Sequence, residues 1–192
     1  MIVPNREETW QLLDEYTHSP SLLRHALAVE AAMRWYAQHF GQDPELWGVT
    51  GLIHDFDFEQ HPTPEEHPMT GVRILRSLNW PEDIIAAVAA HGQHTGAPRD
   101  TMMAKCLFAV DELTGFVSAC ALVRPSKSIL DLNGKSVRKK WKDKAFARAV
   151  SREDMELGAE EIGIPLDEHI ANVIAALVPV AAEIGLAGGE QS

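Results

Sequence analysis

Apolar positions along the chain recur at three- and four-residue spacing, and sustained strand-like alternation is hard to find. Asn5 with Glu8 three residues later forms a capping-box pattern that opens an amphipathic run ending near Thr17. Ser19-Pro20 starts a second helix. Its Leu22, Leu23, Ala26, Leu27, Val29, Ala32 and Met33 fit a period near 3.6, and Gly41 ends it. Asp43-Pro44 supplies an N-cap and a first-turn proline for a third helix through Leu46, Trp47, Val49, Leu52 and Ile53. Residues 56–63, with Pro62 and mixed polar groups, read as a loop. Thr63-Pro64-Glu65-Glu66 predicts the start of a helix through Val72, Ile74, Leu75 and Leu78.

Pro81 begins a further helix, Ile84 to Ala90, which stops at Gly92. A long apolar helix runs from Thr101 to about Val123, and Arg124-Pro125-Ser126 breaks it. Asn133-Gly134 is a turn, and Ser151 with Asp154 caps a helix to Gly163. A last helix starts near Leu166-Asp167 and carries Ile170, Val173, Ile174 and Leu177, with a kink expected at Pro179. The tail from Ala187 is expected to fray. The pattern predicts an all-α, single-domain helical bundle over residues 1–192, with a core at 20–123 and a C-terminal helical extension at 126–185. No internal repeat interrupts it.

A formal net charge of -11 argues against extended contact with nucleic-acid polymers or anionic membranes, because the whole-molecule field repels them. A small phosphorylated ligand remains compatible with that charge. Cys106 and Cys120 are the only cysteines, so a disulfide framework is not expected and the chain reads as cytoplasmic. No segment has the roughly 18 uninterrupted apolar residues of a membrane span, and the N-terminus lacks a secretory pattern.

Polar residues in apolar settings carry the chemistry. His25 lies within the apolar face of the second helix, His54-Asp55 closes the third, and His91 ends the run Ile85-Ala-Ala-Val-Ala-Ala. Asp111 is embedded in Leu107-Phe-Ala-Val and followed by Leu113. A carboxylate on an apolar face needs a cation or several donors, since an unpaired buried charge costs several kcal/mol. A metal ion is one such partner; a helix cap or an arginine such as Arg24 is another. A lone histidine among apolar residues also has the simpler role of a hydrogen-bonded core residue. Imidazole and carboxylate together suit Zn, Fe, Mn or Co. His67, after Glu65-Glu66, is a further candidate ligand.

The order His25 … His54-Asp55 … Asp111 across a helical chain resembles the HD-domain superfamily of metal-dependent phosphohydrolases, and Gly51-Leu-Ile-His-Asp-Phe-Asp looks like the helix end that names it. The motifs cover about residues 20–115. With His67 and His91 the set is similar to the two-metal subgroup, which includes HD-GYP phosphodiesterases, dinucleoside-tetraphosphate hydrolases and diiron oxygenases typified by myo-inositol oxygenase. Asp111-Glu-Leu-Thr-Gly115 and Arg124-Pro-Ser-Lys-Ser128 resemble signatures of small bacterial and archaeal proteins assigned only as HD hydrolases. The resemblance implies an HD-type bundle holding one or two divalent ions (Fe, Mn, Zn, Co or Mg). His25, His54, Asp55 and Asp111 would hold the first ion; Asp55 would bridge to a second held by His67 and His91. The GYP motif is absent: Gly92-Gln-His94-Thr-Gly follows His91, so cyclic-dinucleotide specificity is not implied.

The function expected from this set is hydrolysis of a nucleotide or other small phosphate ester by a metal-activated water, which Asp55 would orient. Asp57 is a candidate proton acceptor or supporting group, or else an exposed loop carboxylate. Lys127, then Arg124, are the candidates to hold substrate phosphate, against the reading of Lys127 as a solvated turn residue. His94 is a substrate contact, a supporting group or a loop histidine. The basic run at 135–148, with Trp141 inside it, is a recognition lid or one solvated helix face. His18, His39, His61 and His169 are expected at the surface, and Trp10, Trp35, Trp47 and Trp80 in core or interface packing. Two alternatives are diiron oxygenation on the same ligands and a non-catalytic, metal-containing nucleotide-sensing domain. The oligomeric state is not legible.

Overall fold

The computed structural model describes residues 4–188. They form nine α-helices: α1 (Arg6–Tyr16), α2 (Pro20–His39), α3 (Pro44–Ile53), α4 (Met69–Ser77), α5 (Glu82–Ala90), α6 (Met102–Leu122), α7 (Gly134–Trp141), α8 (Arg152–Glu161) and α9 (Leu166–Leu177). Single 3₁₀ turns follow α5 and α9. The described residues hold no strand, only an isolated bridge between Ser128 and Ala187. The fold is all-α.

The helix starts follow from capping chemistry. Asn5 accepts from the Glu8 backbone N–H while the Glu8 carboxylate accepts from the Asn5 N–H, both at 2.9 Å. Asp43, Thr101 and Ser151 cap α3, α6 and α8 in the same general way. One expected start is displaced: α4 begins at Met69, and residues 63–68 are turns closed by Thr63 carbonyl bonds to the Glu66 and His67 N–H groups. Pro68 is the reason. It has no N–H to continue a helix from Pro64, and it disfavours helical backbone at His67.

Two apolar clusters pack on either side of α2. One gathers α1, α3, α4 and α5 around Leu52, Ile53, Phe56 and Leu75; the other gathers α2, α6 and α9 around Tyr36, Leu107, Leu113 and Phe116. Trp47 and Trp80 are buried within them. α3 crosses α2 at Gly51, where a Cβ would lie 2.9 Å from both the Val29 carbonyl and the Met33 side chain. That close approach sets the C-terminal end of α3 beside His25 on α2. α8 crosses α6 the same way at Gly158, against the Ala109 backbone. Arg99 then ties α8 in place, with a paired contact to Glu161 at 2.6 and 2.7 Å and its guanidinium 3.8 Å from the Phe108 ring centre.

Two expectations are corrected in the last third. His169, expected at the surface, is fully buried between α2 and α6. Its Nε2–H donates to the Ala109 carbonyl at 2.9 Å, so its Nδ1 accepts from the Tyr36 hydroxyl. Periodicity alone did not reveal this, because a partner carbonyl on another helix leaves no local signature. Ala187, expected to fray, is held: Ile129 N–H donates to the Leu186 carbonyl and Ala187 bridges Ser128. Residues 189–192 of the expected tail lie outside the described residues. α9 ends at Leu177, just before Pro179. Among the described residues no single helix is long and apolar enough to cross a membrane.

Burial holds the His169 pKa down at about 4, against about 6.5 for a free imidazole. The unfolded chain therefore binds the extra proton between those values, and His169 removes stability as the pH falls from 6.5 toward 4. His169→Leu is expected to cost about 2–4 kcal/mol at pH 7, by leaving the Ala109 carbonyl and Tyr36 hydroxyl without their partner. The gap from wild type should narrow at pH 4.5, as chemical denaturation at the two pH values would show.

Candidate metal centre

Six side chains from five elements meet at one end of the bundle. His25 comes from α2, His54 and Asp55 from the end of α3, His67 from the turn before α4, His91 from the end of α5, and Asp111 from the middle of α6. They form two groups that share Asp55: His25, His54, Asp55 and Asp111, and Asp55, His67 and His91. Within each group the candidate ligand atoms lie within 4.8 Å of one another.

Three of the imidazoles are oriented by their other nitrogen. His54 Nδ1–H donates to the Gly51 carbonyl and His91 Nδ1–H to the Val88 carbonyl, each at 2.7 Å. Both carbonyls lie three residues back, in the last turn of a helix, where such groups lack an intrahelical partner. His67 Nδ1 pairs with Asp57 Oδ1 at 2.9 Å. Carbonyls and carboxylates only accept, so in each neutral ring Nε2 carries a lone pair rather than a proton.

Those Nε2 atoms then face other acceptors. His54 Nε2 lies 3.4 Å from Asp55 Oδ2 and 3.5 Å from Asp111 Oδ1. His67 and His91 Nε2 each lie 3.1 Å from Asp55 Oδ1, and 3.2 Å from each other. His25 Nε2 sits 3.0 Å from Asp111 Oδ1 and 3.8 Å from Asp55 Oδ2. His54 Nε2 and Asp55 Oδ1 are buried without a hydrogen-bond partner, close to their neighbours in distance but not aligned with a donor. Lone pairs gathered this way repel unless positive charge sits among them.

Protons or metal ions can supply that charge. Burial opposes protonation of His54, but the Asp55 and Asp111 carboxylates outweigh it and hold its pKa well above the usual imidazole value. Burial is likewise outweighed at His67, which Asp55 and Asp57 push up to about 9. Asp55 stays well below the usual carboxylate range because, against burial, His54, His67 and His91 surround it. A cation takes the place of these protons, and the donor set of imidazole and carboxylate suits divalent first-row transition metals. The residues fit the metal.

The other sequence candidates divide by position. Asp57 is neither a loop-surface carboxylate nor a cleft group: it is fully buried behind His67, its second oxygen accepting the Gly71 N–H at 2.7 Å. It fixes the His67 tautomer instead. His94 lines the cleft beside His67, whose carbonyl its Nε2 meets at 2.9 Å. Arg124 and Lys127 do not line the cleft. Arg124 is engaged by Asp131 at 2.8 and 3.1 Å, and Lys127 sits exposed in a left-handed turn (φ 48°) beyond α6.

The cleft has a volume of about 690 Å³, and two of its groups escaped the sequence reading. Glu112 lines it half-buried, its pKa raised to about 7 by burial and by neighbouring Asp111. Asp154, legible in the sequence only as a cap partner of Ser151, lines it from α8. Asp55, Asp111, Glu112 and Asp154 give the cleft wall a surplus of carboxylates, with no lysine or arginine among its lining residues. Such a wall repels a phosphate until divalent cations reverse its charge.

A helical bundle closing on a carboxylate-bridged pair of histidine clusters defines a class of metal-binding domain. Residues 22–115 match the family model described as HD domain, so that segment is an HD domain. The chain is also similar to proteins named Ribonuclease Y. It is 31% identical to that of Nitratidesulfovibrio vulgaris over 106 residues, 55% of this chain and 20% of the relative. It is 27% identical to that of Oleidesulfovibrio alaskensis over 147 residues, 74% of this chain and 28% of the relative. The chain thus spans between a fifth and under a third of these relatives' length. No solved structure matches it.

Three outcomes are expected of the centre. Elemental analysis after metal loading should show up to two ions per chain, one fewer in His67→Ala and none retained in Asp55→Ala. Asp57→Asn should weaken metal affinity about 10–100-fold, as loss of a carboxylate behind a ligating imidazole does. In metal-free protein His67 has a folded pKa of about 9, above its unfolded value near 6.5, so its contribution is complete below 6.5 and lost as the pH rises to 9. The melting temperature of chelator-treated protein should therefore fall across that window, and metal-loaded protein should not follow it.

Proposed function

We propose that this protein is a metal-dependent phosphohydrolase that cleaves a phosphate ester of a nucleotide or similar small molecule. The observation that carries the reading is the set of buried acceptors around Asp55, two of them without any hydrogen-bond partner, beside a cleft wide enough for a small ligand. Divalent ions bound there supply a water of lowered pKa and neutralise charge on phosphoryl oxygens.

The chain's own residues do the rest. His25, His54, Asp55 and Asp111 would hold one ion, and Asp55, His67 and His91 would hold a second. Carbonyls of Gly51 and Val88, and the Asp57 carboxylate, lock three imidazoles in the ligating tautomer. Phe58 and Phe108 line the cleft and limit water around the phosphate. Glu112 stands at the cleft wall beside Asp111, within reach of a ligand bound there.

Relatives named ribonucleases weaken the whole-molecule charge as a ground for setting RNA aside, so an RNA phosphodiester belongs in the same test. With Mn, Co or Fe added, phosphate release or strand cleavage should be measured against nucleoside mono-, di- and triphosphates, a phosphodiester and an oligoribonucleotide. Turnover of at least one is expected, and Asp55→Ala or His54→Ala should reduce it by about 10³-fold or more. Fully metal-loaded protein that turns over none of them contradicts the reading.

A further inference from the structure

The chain is acidic as a whole, yet eight of its seventeen lysines and arginines fall between residues 135 and 152, where Asp143 is the only carboxylate. Folding gives these cations different surroundings. Arg138 is spent on Asp167 and Lys140 lies over the Phe146 ring. Lys142, Lys144 and Arg148 are exposed, and among the described residues none has a carboxylate partner within salt-bridge distance. All three line one cavity of about 480 Å³, together with Trp141 and Arg152.

This cavity has a built frame. Arg152, at the first turn of α8, donates to the carbonyls of Asp143, Phe146, Ala147 and Val150, gathering the turns after α7 around one guanidinium. The same guanidinium lies 4.6 Å from the Phe116 ring centre, on α6. Ala147 is held in the left-handed region (φ 46°), which a non-glycine residue adopts only where its surroundings fix it. The segment carrying the free cations is therefore pinned to the helix that carries Asp111.

Its position gives it a role. Val150 lines both this cavity and the metal cleft, so the two adjoin there. The cleft wall itself offers carboxylates and no lysine or arginine, so charge on a substrate beyond the scissile phosphate finds no counter-ion within it. Uncommitted cations line the adjoining cavity, whose one carboxylate, Glu153, is outnumbered.

We propose that the cavity lined by Lys142, Lys144, Arg148 and Arg152 is a second anion subsite that binds a further phosphate of a substrate whose scissile phosphate lies in the metal cleft. This rests on the phosphohydrolase reading for the role of the cleft. It selects, among phosphate esters, those with two or more phosphates in a chain. A nucleoside polyphosphate and a short RNA strand share that chemistry, and binding measurements tell them apart.

The test uses the metal-loaded 192-residue protein in excess magnesium, and the triple variant Lys142→Gln, Lys144→Gln, Arg148→Gln. All three side chains are exposed, so folding is retained, whereas Arg152 is left alone because it holds the turns. Binding of a nucleoside monophosphate, the matching triphosphate and a ten-nucleotide RNA is measured by calorimetry. Wild type should bind the triphosphate or the RNA at least tenfold more tightly than the monophosphate, and the triple variant should lose that preference. Lys135→Gln with Lys139→Gln, outside the cavity, should keep it. If neither longer ligand is preferred, or if the triple variant retains the preference, the subsite is refuted. Binding does not depend on turnover: a preference that the triple variant abolishes, with no hydrolysis of any substrate, sinks the hydrolase reading and leaves the subsite standing.

Discussion

Everything at the functional end of this molecule depends on acceptor atoms being made to face one another. Backbone carbonyls of Gly51 and Val88 and the buried Asp57 carboxylate each claim the Nδ1 proton of a histidine, which turns three lone pairs toward Asp55. Without positive charge between them, the His67–His91 approach at 3.2 Å and the unpartnered His54 Nε2 and Asp55 Oδ1 are repulsive or costly. The cluster is thus a cation site by its hydrogen-bond logic, before any consideration of family. Protons and metal ions compete for it, which couples metal affinity to pH.

The bundle serves this arrangement through close helix crossings. Gly51 lets α3 lie on α2, so that His54 and Asp55 leave the helix end beside His25. Asp111 is held at mid-helix in α6, two residues beyond the Ala109 carbonyl that His169 grips. Arg99 and Gly158 seat α8 against the same helix, which brings Asp154 to the cleft. Placing ligands on rigid elements keeps the lone pairs converging, a requirement that mobile loops would meet less well.

The architecture was legible because its signals are local. Capping residues Asn5, Asp43, Thr101 and Ser151 mark helix starts that the structure shows, and polar residues stranded in apolar runs marked the six residues that meet. What escaped depended on partners far along the chain. Asp57 reads as a proton acceptor, a supporting group or a loop aspartate until Gly71 and His67 close over it and leave only the supporting role, and His169 reads as a surface residue until Tyr36 and Ala109 receive it. Pro68 was a local signal too, and it outweighed the capping pattern at Thr63. Arg124 and Lys127 were expected to hold phosphate because they follow α6 in sequence, but α6 is long enough to carry them away from the cleft.

The most direct measurement of the central claim is a crystal of the protein grown with manganese, with diffraction data collected to reveal anomalous scattering. The account places a manganese peak among His25, His54, Asp55 and Asp111, within coordinating distance of the His54 Nε2 that otherwise has no partner. A map with no peak there at saturating manganese, and with those side chains in the same positions, would contradict it.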